Sequence, residues 1–202
     1  MPCLVLDAMG VIFNAADDVA ELLIPFIVDH SGTRDDEIIQ AAYLDASLGR
    51  IGADEFWLRA GLSAELEDDY LDRHRLNRGV VELLSLARQV GVPVWCLSND
   101  IARWSRKLRE RLGIEEYLQQ SIISSDVGMR KPDAGIYHAL IEASDRRPDE
   151  LLFIDDRPAN IAAAHSLGID SILFDPQHAF DAIQSWISRQ HRSPHASTDD
   201  TL

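Results

Sequence analysis

Residues 4–13 read Leu4-Val5-Leu6-Asp7-Ala8-Met9-Gly10-Val11-Ile12-Phe13. The run opens as a short apolar stretch without helical period and stops at an acid. Such a stretch suits a strand buried on both faces of a parallel sheet. An acid at the carboxyl end of that strand stands where open α/β sheets bind their ligands. Two later stretches have the same form. Pro93-Val94-Trp95-Cys96-Leu97 ends in Ser98-Asn99-Asp100, and Leu151-Leu152-Phe153-Ile154 ends in Asp155-Asp156. Three strand tips that each carry polar groups imply one assembled site.

The rest of the chain supplies the pattern around these tips. Residues 15–76 read as helices alone, with helices expected over 16–30, from a Thr33/Asp36 capping box to Gly49, over 54–60 and over 63–76. The first presents Val19, Leu22, Leu23, Phe26 and Ile27; the second presents Ile38, Ile39, Ala42, Tyr43 and Ala46. From residue 77 helix and strand alternate. Helices are expected over 80–90 with Gly91 as stop, 101–112, 132–143 with Pro132 at the first position, 158–167 and 178–189. Strands are expected over 93–97, 119–124, 151–154 and 171–174. The pattern predicts an α/β fold, a doubly wound (Rossmann-like) parallel sheet over 1–14 and 77–190, with a small helical bundle at 15–76. The polar tail, 191–202, is expected to be disordered. The basic run of 101–112 is expected to be a solvated helix face.

Charge and cysteine usage narrow the partners. The 34 Asp and Glu against 19 Lys and Arg give −15, a surface that repels nucleic acid and anionic lipid. Any anionic substrate must then be held by local cations or a metal. Cys3 and Cys96 lie inside expected strands without metal-ligand spacing, which fits small apolar side chains in a reducing compartment. With no export signal or membrane-length apolar run, a cytoplasmic location is expected.

The polar groups at the strand tips admit structural and chemical readings. Asp7 can be a turn residue or a nucleophile, with Gly10 allowing a ligand close to the backbone. Asp155 and Asp156 can cap the following helix, whose first position suits Pro158. Two acids facing a third also invite a cation, and a hard ion such as Mg²⁺ fits carboxylate and carbonyl oxygens. Ser98 and Asn99 can cap a helix or cradle an anion. Lys131 can hold an incoming anion and keep Asp7 ionised, and Asn160 can orient the acids or water.

The order Asp7, Ser98, Lys131-Pro132, Asp155-Asp156 resembles the four motifs of haloacid dehalogenase-like (HAD) hydrolases, and 15–76 resembles that superfamily's type 1 helical cap. The stretches at 128–137 and 153–161 are most similar to the branch with sugar phosphate phosphatases and the amino-terminal phosphatase domain of soluble epoxide hydrolases. The resemblance implies a Mg²⁺-dependent phosphatase of a small phosphorylated metabolite. Asp7 would be the nucleophile that forms an aspartyl-phosphate. Ser98 and Lys131 would bind the phosphoryl group, with Asn99 beside them. Asp7, Asp156 and the backbone carbonyl of Met9 would ligate the metal, supported by Asp155. One position departs from the pattern. The family's phosphatases usually carry a second aspartate, the general acid/base, where this chain has Met9, although some members of the branch lack it. Alternatives are therefore a metal-independent haloacid dehalogenase, which has no acid there either, and a binding or scaffold protein on the same fold. Phe13, Asn14, Tyr43, Arg50 and Trp57 are the side chains considered for facing the site from the helical segment, where aromatic residues equally suit a core.

Overall fold

The computed structural model describes residues 2–31, 35–175 and 179–191. Its five strands are β1 (Cys3–Leu6), β2 (Val94–Ser98), β3 (Gln120–Ile123), β4 (Leu151–Asp155) and β5 (Asp170–Leu173). They form one sheet in the order β3-β2-β1-β4-β5, every neighbouring pair parallel. The doubly wound α/β sheet expected from the sequence is thus present, and the chain reverses its winding at β1. Registers such as Leu6↔Cys96 and Leu6↔Ile154 bring the three polar tips to one edge of the sheet. Side chains alternate between faces as the pleat requires. Leu4, Leu6, Val94, Cys96, Leu152 and Ile154 join one apolar cluster; Cys3, Val5, Trp95, Leu97, Leu151 and Phe153 join the other. Cys3 and Cys96 are both unpaired and buried, as their strand positions require.

The helices of the first third are α1 (Ile24–Ser31), α2 (Asp36–Ser47), α3 (Ala53–Arg59) and α4 (Glu67–Leu71). A π-helical turn, Val19–Leu23, leads into α1. The remaining helices are α5 (Val80–Val90), α6 (Ala102–Arg111), α7 (Ser124–Val127), α8 (Ala134–Ser144), α9 (Pro158–Ser166) and α10 (Ala179–His191). Several local expectations are corrected. Thr33 and the 192–202 tail lie outside the described residues, and α2 is capped by Asp35, whose side chain accepts from the Ile38 N–H at 3.1 Å. Ile38, expected on the apolar face, is 51% exposed. The helix expected to reach residue 76 stops at Leu71, and Leu76 instead bridges Phe13. Pro132 does not begin α8. Asp133 caps it by accepting from the Gly135 N–H at 2.7 Å, since a carboxylate there satisfies an orphan helix donor. The short α7 was not expected. Among the described residues no helix is long and apolar enough to cross a membrane.

Two contacts fix the helical segment to the sheet. The chain leaves and returns side by side: Asn14 N–H donates to Arg75 C=O at 3.0 Å, and the Asn77 amide donates to the carbonyls of Gly10, Val11 and Phe13. On the other side, the Glu67 carboxylate is buried and accepts from Trp57 Nε1 (3.2 Å), Trp104 Nε1 (2.7 Å) and Arg103 Nη2 (2.6 Å), with Lys107 Nζ at 2.8 Å. Arg103, Lys107 and Arg111 lie one turn apart on α6 and also pair with Asp54, Asp68 and Asp72. The basic face is therefore a clamp rather than the solvated surface expected. Removing one partner of a buried ion cluster strands the others. Glu67→Ala is expected to lower unfolding free energy by about 3 kcal/mol, read from urea denaturation, while Glu67→Gln loses less.

Candidate active site

The turn after β1 sets the site's floor. The Asp7 N–H still donates to Ile154 C=O at 2.9 Å, so the acid continues the sheet ladder beyond Leu6. Gly10 then adopts φ +81°, and a Cβ there would lie 2.3 Å from Asp156 Oδ2. The position thus demands glycine for its conformation and for the approach of Asp156.

Lys131 organises the acids. Its Nζ lies 2.6 Å from Asp7 Oδ1 and donates to Asp155 Oδ2 at 2.8 Å and to Leu97 C=O at 2.7 Å. All three ammonium donors are therefore engaged inside the site. Asn99 holds the lysine from both sides, its Nδ2 donating to Lys131 C=O and its Oδ1 accepting from Lys131 N–H, each at 2.8 Å. Asn99, expected near an anion, lines the site's cavity, and its side-chain amide positions Lys131. Asp155 is wholly buried. Its oxygens accept from the Arg157 N–H (2.8 Å) and from Asn160 Nδ2 (3.0 and 2.9 Å), besides Lys131. Tyr137 O–H donates to Asn160 C=O at 2.9 Å and completes the support. Asn160 does orient an acid, as its spacing suggested; Tyr137 carried no sequence signal beyond an apolar helix position.

Two buried polar atoms of this assembly have no protein partner, Ser98 Oγ and Asp156 Oδ1. Oxygens of Asp7, Asp155 and Asp156 lie within 4.8 Å of one another. Burial pushes the Asp7 carboxyl up to about 8, opposed by the Lys131 charge and reinforced by Asp155. Burial, then Asp155, also raises Asp156. Acids raised by burial and mutual repulsion are those a cation draws back to the ionised form. The all-oxygen donor set and the orphaned Asp156 Oδ1 fit a hard divalent ion.

Over these groups lies a cavity of about 250 Å³. Asp7, Met9, Ser98 and Lys131 line one side; Asp18, Gln40 and Tyr43 reach it from the helical segment, with Arg130 and Arg157 at its rim. Tyr43 O–H donates to Asn99 C=O at 3.2 Å. Of the five side chains considered, only Tyr43 lines this space. Phe13 and Trp57 are buried in the core, Asn14 is exposed, and Arg50 pairs with Asp45 at the surface. Arg130 and Arg157 were missed because a lone arginine in a loop carries no pattern. Asp18 was missed because it sits beside Asp17 at a helix start, where acids are ordinary caps.

A family model described as haloacid dehalogenase-like hydrolase matches residues 3–168. The chain is similar to the ribulose-1,5-bisphosphate 5-phosphatase of Halopiger xanaduensis, 29% identical over 117 residues, covering 57% of this chain and 49% of that protein. It is also similar to the phosphoglycolate phosphatase of Rhodospirillum rubrum, 23% identical over 85% of this chain and 73% of that one. The first match thus takes in about half of its relative's length. A HAD-family enzyme of Bacteroides thetaiotaomicron superposes with a TM-score of 0.74 at 20% identity, covering 91% of this chain and 98% of that one. The same enzyme has been crystallised with magnesium and inorganic phosphate.

Lys131→Met leaves two buried carboxyls without their cation. Burial already holds the Asp7 carboxyl above the usual carboxylate range; without the lysine it binds more protons folded than unfolded and costs stability as pH rises past about 4. In EDTA the variant is expected to lose about 3 kcal/mol at pH 8 and distinctly less at pH 5, measured by denaturant unfolding. A loss that does not vary with pH would contradict this electrostatic picture.

Proposed function

Because the chain belongs to the haloacid dehalogenase-like hydrolase family, we propose that it is a magnesium-dependent phosphatase of a small phosphorylated metabolite. The observation that carries this reading is the Asp7 carboxylate, held by Lys131 in a cavity that the unpartnered Ser98 also lines. Asp7 acts as nucleophile, its free oxygen attacking phosphorus to give an aspartyl-phosphate. Ser98 donates to a phosphoryl oxygen, and Lys131 places charge beside the reacting centre. Asp7, Asp156 and the Met9 carbonyl would hold Mg²⁺, which when bound neutralises charge on the transferring group. Asp155 carries the lysine rather than touching substrate.

The same reading assigns 15–76 as a type 1 cap over a core of 1–14 and 77–190, and the chain to the branch of sugar phosphate phosphatases. Tyr43 and Gln40 of α2 would then face the leaving group. A cavity of about 250 Å³ suits a metabolite rather than a polymer. A cytoplasmic location agrees with two unpaired, buried cysteines.

p-Nitrophenyl phosphate tests the proposal. Turnover is expected with Mg²⁺, to vanish in EDTA, and to fall by roughly 10³-fold or more in Asp7→Asn, as expected when a nucleophile is lost. Equal rates in all three arms would reject it.

A further inference from the structure

Methionine at position 9 cannot move a proton, yet acids also reach the cavity from the helical segment. Asp17 and Asp18 stand together at the start of the Val19–Leu23 turn, and they do different work. Asp17 is exposed and caps the turn: its Oδ1 accepts from the Ala20 N–H at 3.1 Å, and its N–H donates to Glu21 Oε1 at 2.8 Å. Asp18 makes no side-chain capping bond and is only 6% exposed. Its Oδ2 accepts one long hydrogen bond, from Tyr70 O–H at 3.4 Å. Both residues line the cavity that also holds Asp7, Met9 and Ser98, but only Asp18 is buried and free of a capping role.

A carboxyl buried without a cation bound to it is expensive to ionise. Burial, then the charge of Asp17, pushes Asp18 up to about 6; the Tyr70 hydroxyl, the nearby Val19 backbone and the charge of Arg157 oppose them. Tyr43 of α2 and Asp100 ahead of α6 also feel the Asp18 charge, and Asp7, Arg130 and Lys131 line the same cavity. A proton held near neutrality is what an acid/base catalyst requires.

We propose that Asp18 is the catalytic residue that protonates the leaving group and then activates water, the role Met9 cannot fill. This rests on the phosphatase reading. In the first half, the Asp7 oxygen–phosphorus bond forms and the phosphorus–leaving-oxygen bond breaks. The Asp18 proton passes to the departing oxygen, giving the free alcohol. In the second half, the Asp18 carboxylate takes a proton from water as the water oxygen bonds to phosphorus. The Asp7–phosphorus bond breaks, orthophosphate leaves, and Asp18 is again protonated.

Substituted phenyl phosphates with Mg²⁺ test this, because their shape is nearly constant while the leaving group changes. In Asp18→Asn, kcat/KM should fall about 10²-fold on phenyl phosphate and less than about tenfold on p-nitrophenyl phosphate, whose leaving group needs little proton assistance. A pre-steady-state burst of p-nitrophenolate should appear as the aspartyl-phosphate accumulates. Wild-type kcat/KM on phenyl phosphate should decline above pH about 6, and Asp18→Asn should abolish that limb. Met9→Asp in the Asp18→Asn background should restore phenyl phosphate turnover. If Asp18→Asn does not fold, Tyr70→Phe serves instead, moving the limb to higher pH by removing a bond that favours the carboxylate. An unchanged leaving-group dependence, a limb that stays in place, or equal losses on both esters would overturn the assignment of Asp18. Absence of Mg²⁺-dependent turnover in the wild type would instead overturn the phosphatase reading itself.

Discussion

The ammonium of Lys131, buried between two carboxylates and a strand carbonyl, is the contact on which the site depends. Three strands from distant parts of the chain each bring one partner: Asp7 beyond β1, the Leu97 carbonyl in β2 and Asp155 at the end of β4. The cation is worth its desolvation only because all three are in place at once. Sheet register therefore controls chemistry directly: a one-residue slip in β4 would turn Asp155 to the other face.

Around that ion cluster the side chains divide into those that hold and those that are free to act. Asn99, Asn160, Tyr137 and the Arg157 N–H are fully engaged in holding Lys131 and Asp155. Ser98 Oγ and Asp156 Oδ1 are buried without partners. This division explains why neighbours in sequence have different fates. Ser98 and Asn99 are adjacent, as are Asp155 and Asp156, yet in each pair one side chain is spent on architecture and the other keeps a buried oxygen without a protein partner.

Much of the sheet was legible because burial on two faces leaves a plain trace: apolar runs that stop at polar residues. Those stops located Asp7, Ser98, Asp155 and Asp156, all of which line or support the cavity floor. What local pattern could not decide was the choice between competing caps and between equivalent charges. Proline at position 132 suggested a helix start, but Asp133 one residue later is the better hydrogen-bond acceptor. The α6 cations looked solvated because their partners lie some 40 residues earlier, in a segment whose placement is tertiary. Asp18 and Asp17 are indistinguishable as letters. Burial, and Tyr70 brought close by the packing of α4, separate them.

The seam at Asn77 has an evolutionary consequence. Because the outgoing segment at residue 14 and the returning segment at residue 75 bond to each other, the 60 or so residues between them form a closed excursion whose ends are neighbours. An excursion of that kind can be replaced wholesale without disturbing the register of β1. The exchange is constrained elsewhere: any substitute must present acids to Arg103, Lys107 and Arg111, or α6 is left with a row of unanswered cations. Divergence in the helical segment should thus be tied to divergence along one face of a single helix of the sheet domain.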